Sequence, residues 1–158
     1  MPLPGDTIAQ KFALAVQARG DAIALRQKEY GVWREMSWRE FGAHAQHLAL
    51  GLASLGFESG EVGAILANTR WEWSAADYAI LLAGGVSCGI YPTDAESQVR
   101  YLCADSAATV LFVEDDEQLD KALAVRETLP RLRTIIVMDM DGLHDLADPQ
   151  VMGLDALI

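Results

Sequence analysis

"LLAGGVSCGIYPTD" (Leu81–Asp94) decides how this chain folds. Its first residues close an apolar helix that runs from Trp71 and breaks on Gly84-Gly85, because glycine is the residue that ends helices most readily. Val86–Ile90 then reads as a short strand, and Tyr91-Pro92-Thr93-Asp94 stops it. A strand reached from one helix and leaving into another is the unit of a parallel sheet.

The same alternation extends outward in both directions. Before it lie a strand at Val62–Ala67 and the helix Trp71–Ala83. After it come a helix at Ala95–Asp105, a strand at Val110–Val113, a helix at Asp116–Leu129 ended by Pro130, and a strand at Thr134–Met138. The strands are continuous apolar runs, not alternating ones, which implies a sheet covered on both faces. The expectation is an α/β fold with a mainly parallel sheet of about four strands and helices on both faces.

Upstream, Asp6 or Thr7 opens a helix whose face is Ile8, Phe12 and Val16 and whose end is Gly20. "AIALRQKEYGVWREMSW" (Ala22–Trp38) reads as an N-terminal β-hairpin turning near Tyr30-Gly31. Ser37-Trp38-Arg39-Glu40 has the spacing of a capping box, and Phe41, Ala45, Leu48, Leu52 and Leu55 form the stripe of the helix behind it. The tail from Asp139 to Ile158 carries turn chemistry at Asp141-Gly142 and Asp148-Pro149 and no further strong strand.

With 158 residues, 51% of them apolar and 22% charged, the chain has the composition of one globular domain. A net charge of −11 argues against a nucleic-acid partner. Met1-Pro2-Leu3-Pro4-Gly5-Asp6 has neither the basic nor the apolar region of a cleavable leader. No apolar run reaches the roughly 18 to 20 residues of a membrane helix. Cys88 and Cys103 lack metal-type spacing and read as reduced, buried thiols of a cytoplasmic protein.

In open parallel sheets ligands bind beyond the carboxyl ends of the strands, which singles out Asn68-Thr69-Arg70, Tyr91-Pro92-Thr93-Asp94, Glu114-Asp115-Asp116 and Asp139-Met140-Asp141. Glu114-Asp115-Asp116 has two readings. A strand delivering adjacent aspartates begins the Mg²⁺ site of receiver-like switches, but only 42 residues follow Asp116 and Lys121 is their one lysine. The plainer reading sets the carboxylates against the positive end of a helix. Thr93-Asp94-Ala95-Glu96 could likewise be a second capping box set up by Pro92. Asn68 with Trp71-Glu72-Trp73 could be a helix start with core aromatics. His44 and His47 are i, i+3 neighbours without a third ligand, and His144 has no partner. Residue by residue, no catalytic set and no metal site emerges.

The order of the segments adds what no single segment gives. "MSWREF" (Met36–Phe41) is similar to the first core motif of the acyl-adenylate-forming enzymes, Leu-Ser/Thr-Tyr-x-Glu-Leu. "LLAGGVSCGIYPTD" is similar to their second, Leu-Lys-Ala-Gly-x-Ala-Tyr-x-Pro-x-Asp. "SGEVGAILANTRWEWSAADYAIL" (Ser59–Leu81) supplies the strand, asparagine and aromatic-rich helix between them. The chain resembles the N-terminal part of that family, which includes acyl-CoA synthetases, luciferases and peptide-synthetase adenylation domains. "YGVWREMSW", "GIYPT" and "ADSAATVLFVEDDEQLDKALAVRETLPRLRTIIVMD" look most like its bacterial long-chain fatty-acyl-CoA synthetases.

The resemblance implies that carboxylate and ATP give an acyl-adenylate, which coenzyme A captures as a thioester, with Mg²⁺ as the metal and a fatty acid as the acyl donor. It implies that residues 1–158 are a single partial domain. The family's Ser/Thr/Gly-rich phosphate loop, later Mg²⁺-binding carboxylate, ribose-binding aspartate and C-terminal domain would lie outside this chain. No catalytic residue is carried over. Tyr91, Pro92 and Thr93, matching the end of the second motif, are the candidates for bordering the substrate cleft. The expectations are a catalytically silent chain that binds no cofactor tightly and self-associates through an open sheet edge, from a cytoplasmic parent with peripheral membrane contact. A non-catalytic α/β binding module derived from a synthetase remains the alternative.

Overall fold

Two reciprocal caps place the first helices. The Thr7 hydroxyl accepts from the Gln10 N–H and opens α1 (Ile8–Arg19), which Gly20 ends at φ +49°. Ser37 accepts from the Glu40 N–H at 3.2 Å, and Glu40 accepts from the Ser37 N–H at 2.8 Å, opening α2 (Trp38–Ser54) as its spacing predicts. The hairpin of β1 (Ile23–Glu29) and β2 (Val32–Ser37) lies between them. Its two turn residues, Tyr30 at φ +48° and Gly31 at φ +83°, both occupy the left-handed region that a two-residue hairpin turn requires.

The computed structural model describes residues 6–158. The leader reading on residues 1–5 therefore lies outside the described residues. Beyond the hairpin, β3 (Val62–Leu66), β4 (Val86–Ile90), β5 (Val110–Val113), β6 (Thr134–Val137) and β7 (Val151–Gly153) form one sheet in the order β4-β3-β5-β6-β7. Every neighbouring pair is parallel. The helices α3 (Trp71–Leu82), α4 (Glu96–Asp105) and α5 (Asp116–Val125) connect the strands.

Side-chain alternation along the strands divides the interior in two. Ile65, Val110, Phe112 and Ile136 enter one core with Leu48, Leu52, Ala76 and Ile80 of α2 and α3. Leu66, Leu111, Val113, Ile135 and Val137 enter a second core with Val99, Cys103, Leu119 and Val125 of α4 and α5. Both sides of each strand are thus buried, which is why the strands read as unbroken apolar runs.

Five expectations need correction. The sheet has five strands, not about four: Val151–Gly153 pairs with β6 in the tail, where the sequence shows no strand pattern. Thr93 does not cap α4. The cap position is Ala95, whose N–H donates to Gln98 Oε1 at 3.1 Å; alanine has no side-chain acceptor to return the bond, so only half a capping box exists. Ile8 and Leu55 are exposed, and Ala15 joins Phe12 in facing the core from α1. Of the two free thiols, Cys103 is buried and Cys88 only half-buried. The predicted long helix after Asp116 is in fact α5 followed by a single tighter turn at Arg126–Thr128, with Leu129 buried behind it.

Candidate functional site

The strand order reverses direction between β3 and β5, and a doubly wound sheet opens its binding crevice at such a point, beyond the carboxyl ends of the strands. Here that point is filled. Glu114, at the end of β5, accepts the Asn68 N–H at 2.6 Å and the Asn68 side-chain amide at 2.9 Å. Arg70 lies 3.6 Å from the same carboxylate and donates two hydrogen bonds of 2.7 Å to Glu72, which is buried at the start of α3. Those bonds raise the Arg70 guanidinium above its ordinary value against the desolvation of its position, and Glu114 and Asp139 add to the effect. Burial without a partner would cost these charges several kcal/mol each, so their pairing is what allows them to sit there.

The open space lies one strand over. A cavity of about 470 Å³ sits beyond the ends of β3 and β4, lined by Ala67, Asn68, Thr69, Trp73, Gly89, Ile90, Tyr91, Pro92 and Thr93. It brings together Tyr91, Pro92 and Thr93 with Asn68 and Thr69, two of the strand-end groups singled out in the sequence. Trp73 forms one wall because Gly89 has no side chain: a β-carbon there would stand 3.3 Å from the indole. Tyr91 is 76% exposed at the rim. The turn is held from below, where Lys121 of α5 donates to the Pro92 carbonyl at 2.6 Å and to Gln118 Oε1 at 2.9 Å.

Sequence reasoning singled out Arg70 and Glu114 at strand ends but not their pairing with Glu72 and Asn68, and it missed the supporting role of Lys121. The acidic run is divided by the fold: Glu114 turns back to Asn68, while Asp115 caps α5 by accepting from the Gln118 N–H. Asp116 accepts from the Glu117 N–H. The two aspartates are thus spent at the helix start, as the plainer reading has it. His44 packs its ring on Trp71, 4.8 Å between centroids. Among the described residues, no three His, Cys, Asp or Glu side chains converge on one point.

Among the described residues no charged side chain lines the cavity, and its flanking cations are held by Glu72, Glu114, Pro92 and Gln118. These residues do not fit a triphosphate or its Mg²⁺, so no chemical step is assigned to them. What the arrangement offers is the Trp73 wall with four neutral polar side chains, Asn68, Thr69, Tyr91 and Thr93, around it.

The family model described as AMP-binding enzyme matches residues 12–154. The chain belongs to the AMP-binding enzyme family. Within this family it is 35% identical over 134 residues to a long-chain-fatty-acid–CoA ligase of Xenopus laevis, covering 85% of this chain and 18% of the relative. It is 38% identical over 112 residues to a long-chain-fatty-acid–CoA ligase of Mycobacterium bovis, covering 71% of this chain and 19% of that enzyme. This chain therefore spans about a fifth of the length of these relatives.

Solved structures agree on the fold of the AMP-binding enzymes. An anthranilate CoA ligase in complex with anthranoyl-AMP matches 87% of this chain and 26% of its own, with a TM-score of 0.77 and 26% identity. The A-PCP didomain of a carboxylic acid reductase from Segniliparus rugosus, in complex with AMP, matches 98% of this chain and 26% of its own. Its TM-score is 0.84 at 21% identity, a likeness of fold alone.

Proposed function

We propose that residues 1–158 are the first part of the N-terminal domain of an ATP-dependent acyl-CoA synthetase for long-chain fatty acids, working in the cytoplasm. The parent joins a fatty acid to AMP with release of pyrophosphate and then passes the acyl group to coenzyme A, with Mg²⁺ on the phosphates. The observation that carries this reading is the 35% identity to a long-chain-fatty-acid–CoA ligase over 85% of this chain. In this reading the Tyr91-Pro92-Thr93 cavity borders the substrate cleft, and the groups that bind phosphate and metal lie in the rest of the parent. The isolated chain is silent, and it self-associates through the open edge of β4.

A second reading, a non-catalytic α/β binding module, is favoured by one observation. Both cores close within the described residues, and Leu154 and Leu157 seal the first of them.

An antibody against this chain, used on source cells, separates the two. A product several times heavier than 17.2 kDa that forms palmitoyl-CoA only with ATP supports the synthetase. A heavier product that activates acetate or an aromatic acid but not palmitate removes the fatty-acid assignment. A product of 17.2 kDa moves the binding module to first place. Sedimentation as a clean monomer at high concentration removes the self-association.

A further inference from the structure

The hairpin presents its two faces to different surroundings. Leu25 and Met36 pack against the first core, and Gln27 Oε1 accepts the Trp71 N–H at 2.8 Å, so the base of the inner face is fixed to the body. The pairing of β1 with β2 puts Arg26 opposite Glu35 and Lys28 opposite Trp33 on the other face. There Trp33 is 62% exposed, and at the tip Tyr30 and Val32 are 103% and 58% exposed. Arg26 is taken up by Glu35 at 2.8 Å, while Lys28 has no ion pair among the described residues. Ile23–Ser37 carries three cations and two carboxylates, a net charge of +1 in a chain of −11.

Exposed tryptophan and tyrosine beside an unpaired lysine is the chemistry of the membrane–water interface, where amphipathic rings sit at headgroup depth. The hairpin joins two exposed aromatic rings, Tyr30 and Trp33, to a locally cationic stretch of an otherwise acidic chain. Anionic headgroups explain both, since they attract the lysine and repel the rest of the surface.

We propose that the tip and outer face of the β1–β2 hairpin form a membrane-docking surface, on which Tyr30 and Trp33 enter the headgroup layer and Lys28 meets anionic lipid. The hairpin docks as a rigid element, because its inner face is already anchored. The inference does not rest on the acyl-ligase reading, and its readout needs neither ATP nor fatty acid.

The test is co-sedimentation of the 158-residue chain with vesicles of phosphatidylcholine alone and of phosphatidylcholine mixed with phosphatidylglycerol. The wild type partitions onto the mixed vesicles and is released by salt. Trp33→Ala lowers that partitioning about tenfold, the loss of one buried aromatic side chain. Lys28→Glu lowers it by a similar factor on mixed vesicles and has little effect on phosphatidylcholine. Tyr30→Gly separates docking from folding: glycine relieves the left-handed backbone at φ +48°, so the variant unfolds no earlier than wild type yet binds vesicles less. A wild type that stays in the supernatant overturns the proposal, as do variants that partition like wild type. A dimer lost in Trp33→Ala, without vesicle binding by the wild type, assigns the surface to a second copy instead.

Discussion

Glu114 accepts both the backbone N–H and the side-chain amide of Asn68, 46 residues earlier in the chain, at 2.6 and 2.9 Å. This contact closes the gap between β3 and β5 where a doubly wound sheet would otherwise open, and it moves the cavity to the β3–β4 side. Glu114→Ala leaves two Asn68 donors and part of the Arg70 charge without partners. A loss of about 1–3 kcal/mol is expected, read as a lower urea midpoint at unchanged slope. Glu114→Gln keeps an acceptor and should cost less. Equal losses for both variants would show that the charge, not the hydrogen bonds, holds the junction.

Lys121 fixes the cavity from beneath. Lys121→Met preserves the stem and removes the donor to Pro92, so it should cost about 1 kcal/mol. Amide exchange should rise at Thr93 and Asp94 and not in β6. A change spread over the whole sheet would contradict a local role.

Gly51 has no room for a side chain, because a β-carbon there would meet the Leu157 carbonyl oxygen and approach Leu157 Cγ to 2.6 Å. Gly51→Ala should displace the Leu154–Leu157 turn and cost about 1–3 kcal/mol. Leu157→Ala should cost about 2 kcal/mol. Together they should cost less than their sum, since the first substitution already expels what the second removes. Full additivity in a double-mutant cycle would refute the contact.

Burial pushes the Cys103 thiol up to about 12, with Cys88 nearby adding to the effect. Iodoacetamide at about pH 8 should leave Cys103 unmodified in the native protein and label it once guanidinium unfolds the chain, followed by mass spectrometry. Labelling at the rate of a free thiol would place Cys103 outside the second core.

Arg126 donates to Asp148 at 2.6 Å and, with the Gln150 N–H, holds that carboxyl below its usual range. A depressed carboxyl contributes stability above its unfolded value of about 3.9, and the contribution is lost as pH falls through the lower folded value. Thermal midpoints measured downward from about pH 5 should therefore fall less steeply in Asp148→Asn than in wild type. The neutral-pH midpoint of the variant should be the lower of the two. Parallel curves would exclude this pair from the acid response.

Most of the architecture was legible because the local signals agree with the tertiary structure. Ser37 and Glu40 cap a helix through atoms three residues apart, and Val110–Val113 is apolar throughout because both faces of the sheet are covered. The tail was not legible: Val151-Met152-Gly153 has no pattern of its own and becomes a strand only because β6 offers it a free edge. Thr93 was misread because its spacing to Glu96 suits a cap, whereas the backbone turns at Tyr91 and α4 begins after Ala95.

The same division holds for the site. The order of motifs along the chain determined the family and drew attention to Tyr91, Pro92 and Thr93, since order is a property of sequence. Which groups surround them was decided by the sheet. Parallel strands bring Asn68, Gly89 and Glu114 to one edge from positions tens of residues apart, and a single acidic run is split because β5 ends between Val113 and the first turn of α5. Local spacing records hydrogen bonds that close within one turn, but it carries no trace of a charge whose partner arrives from another strand.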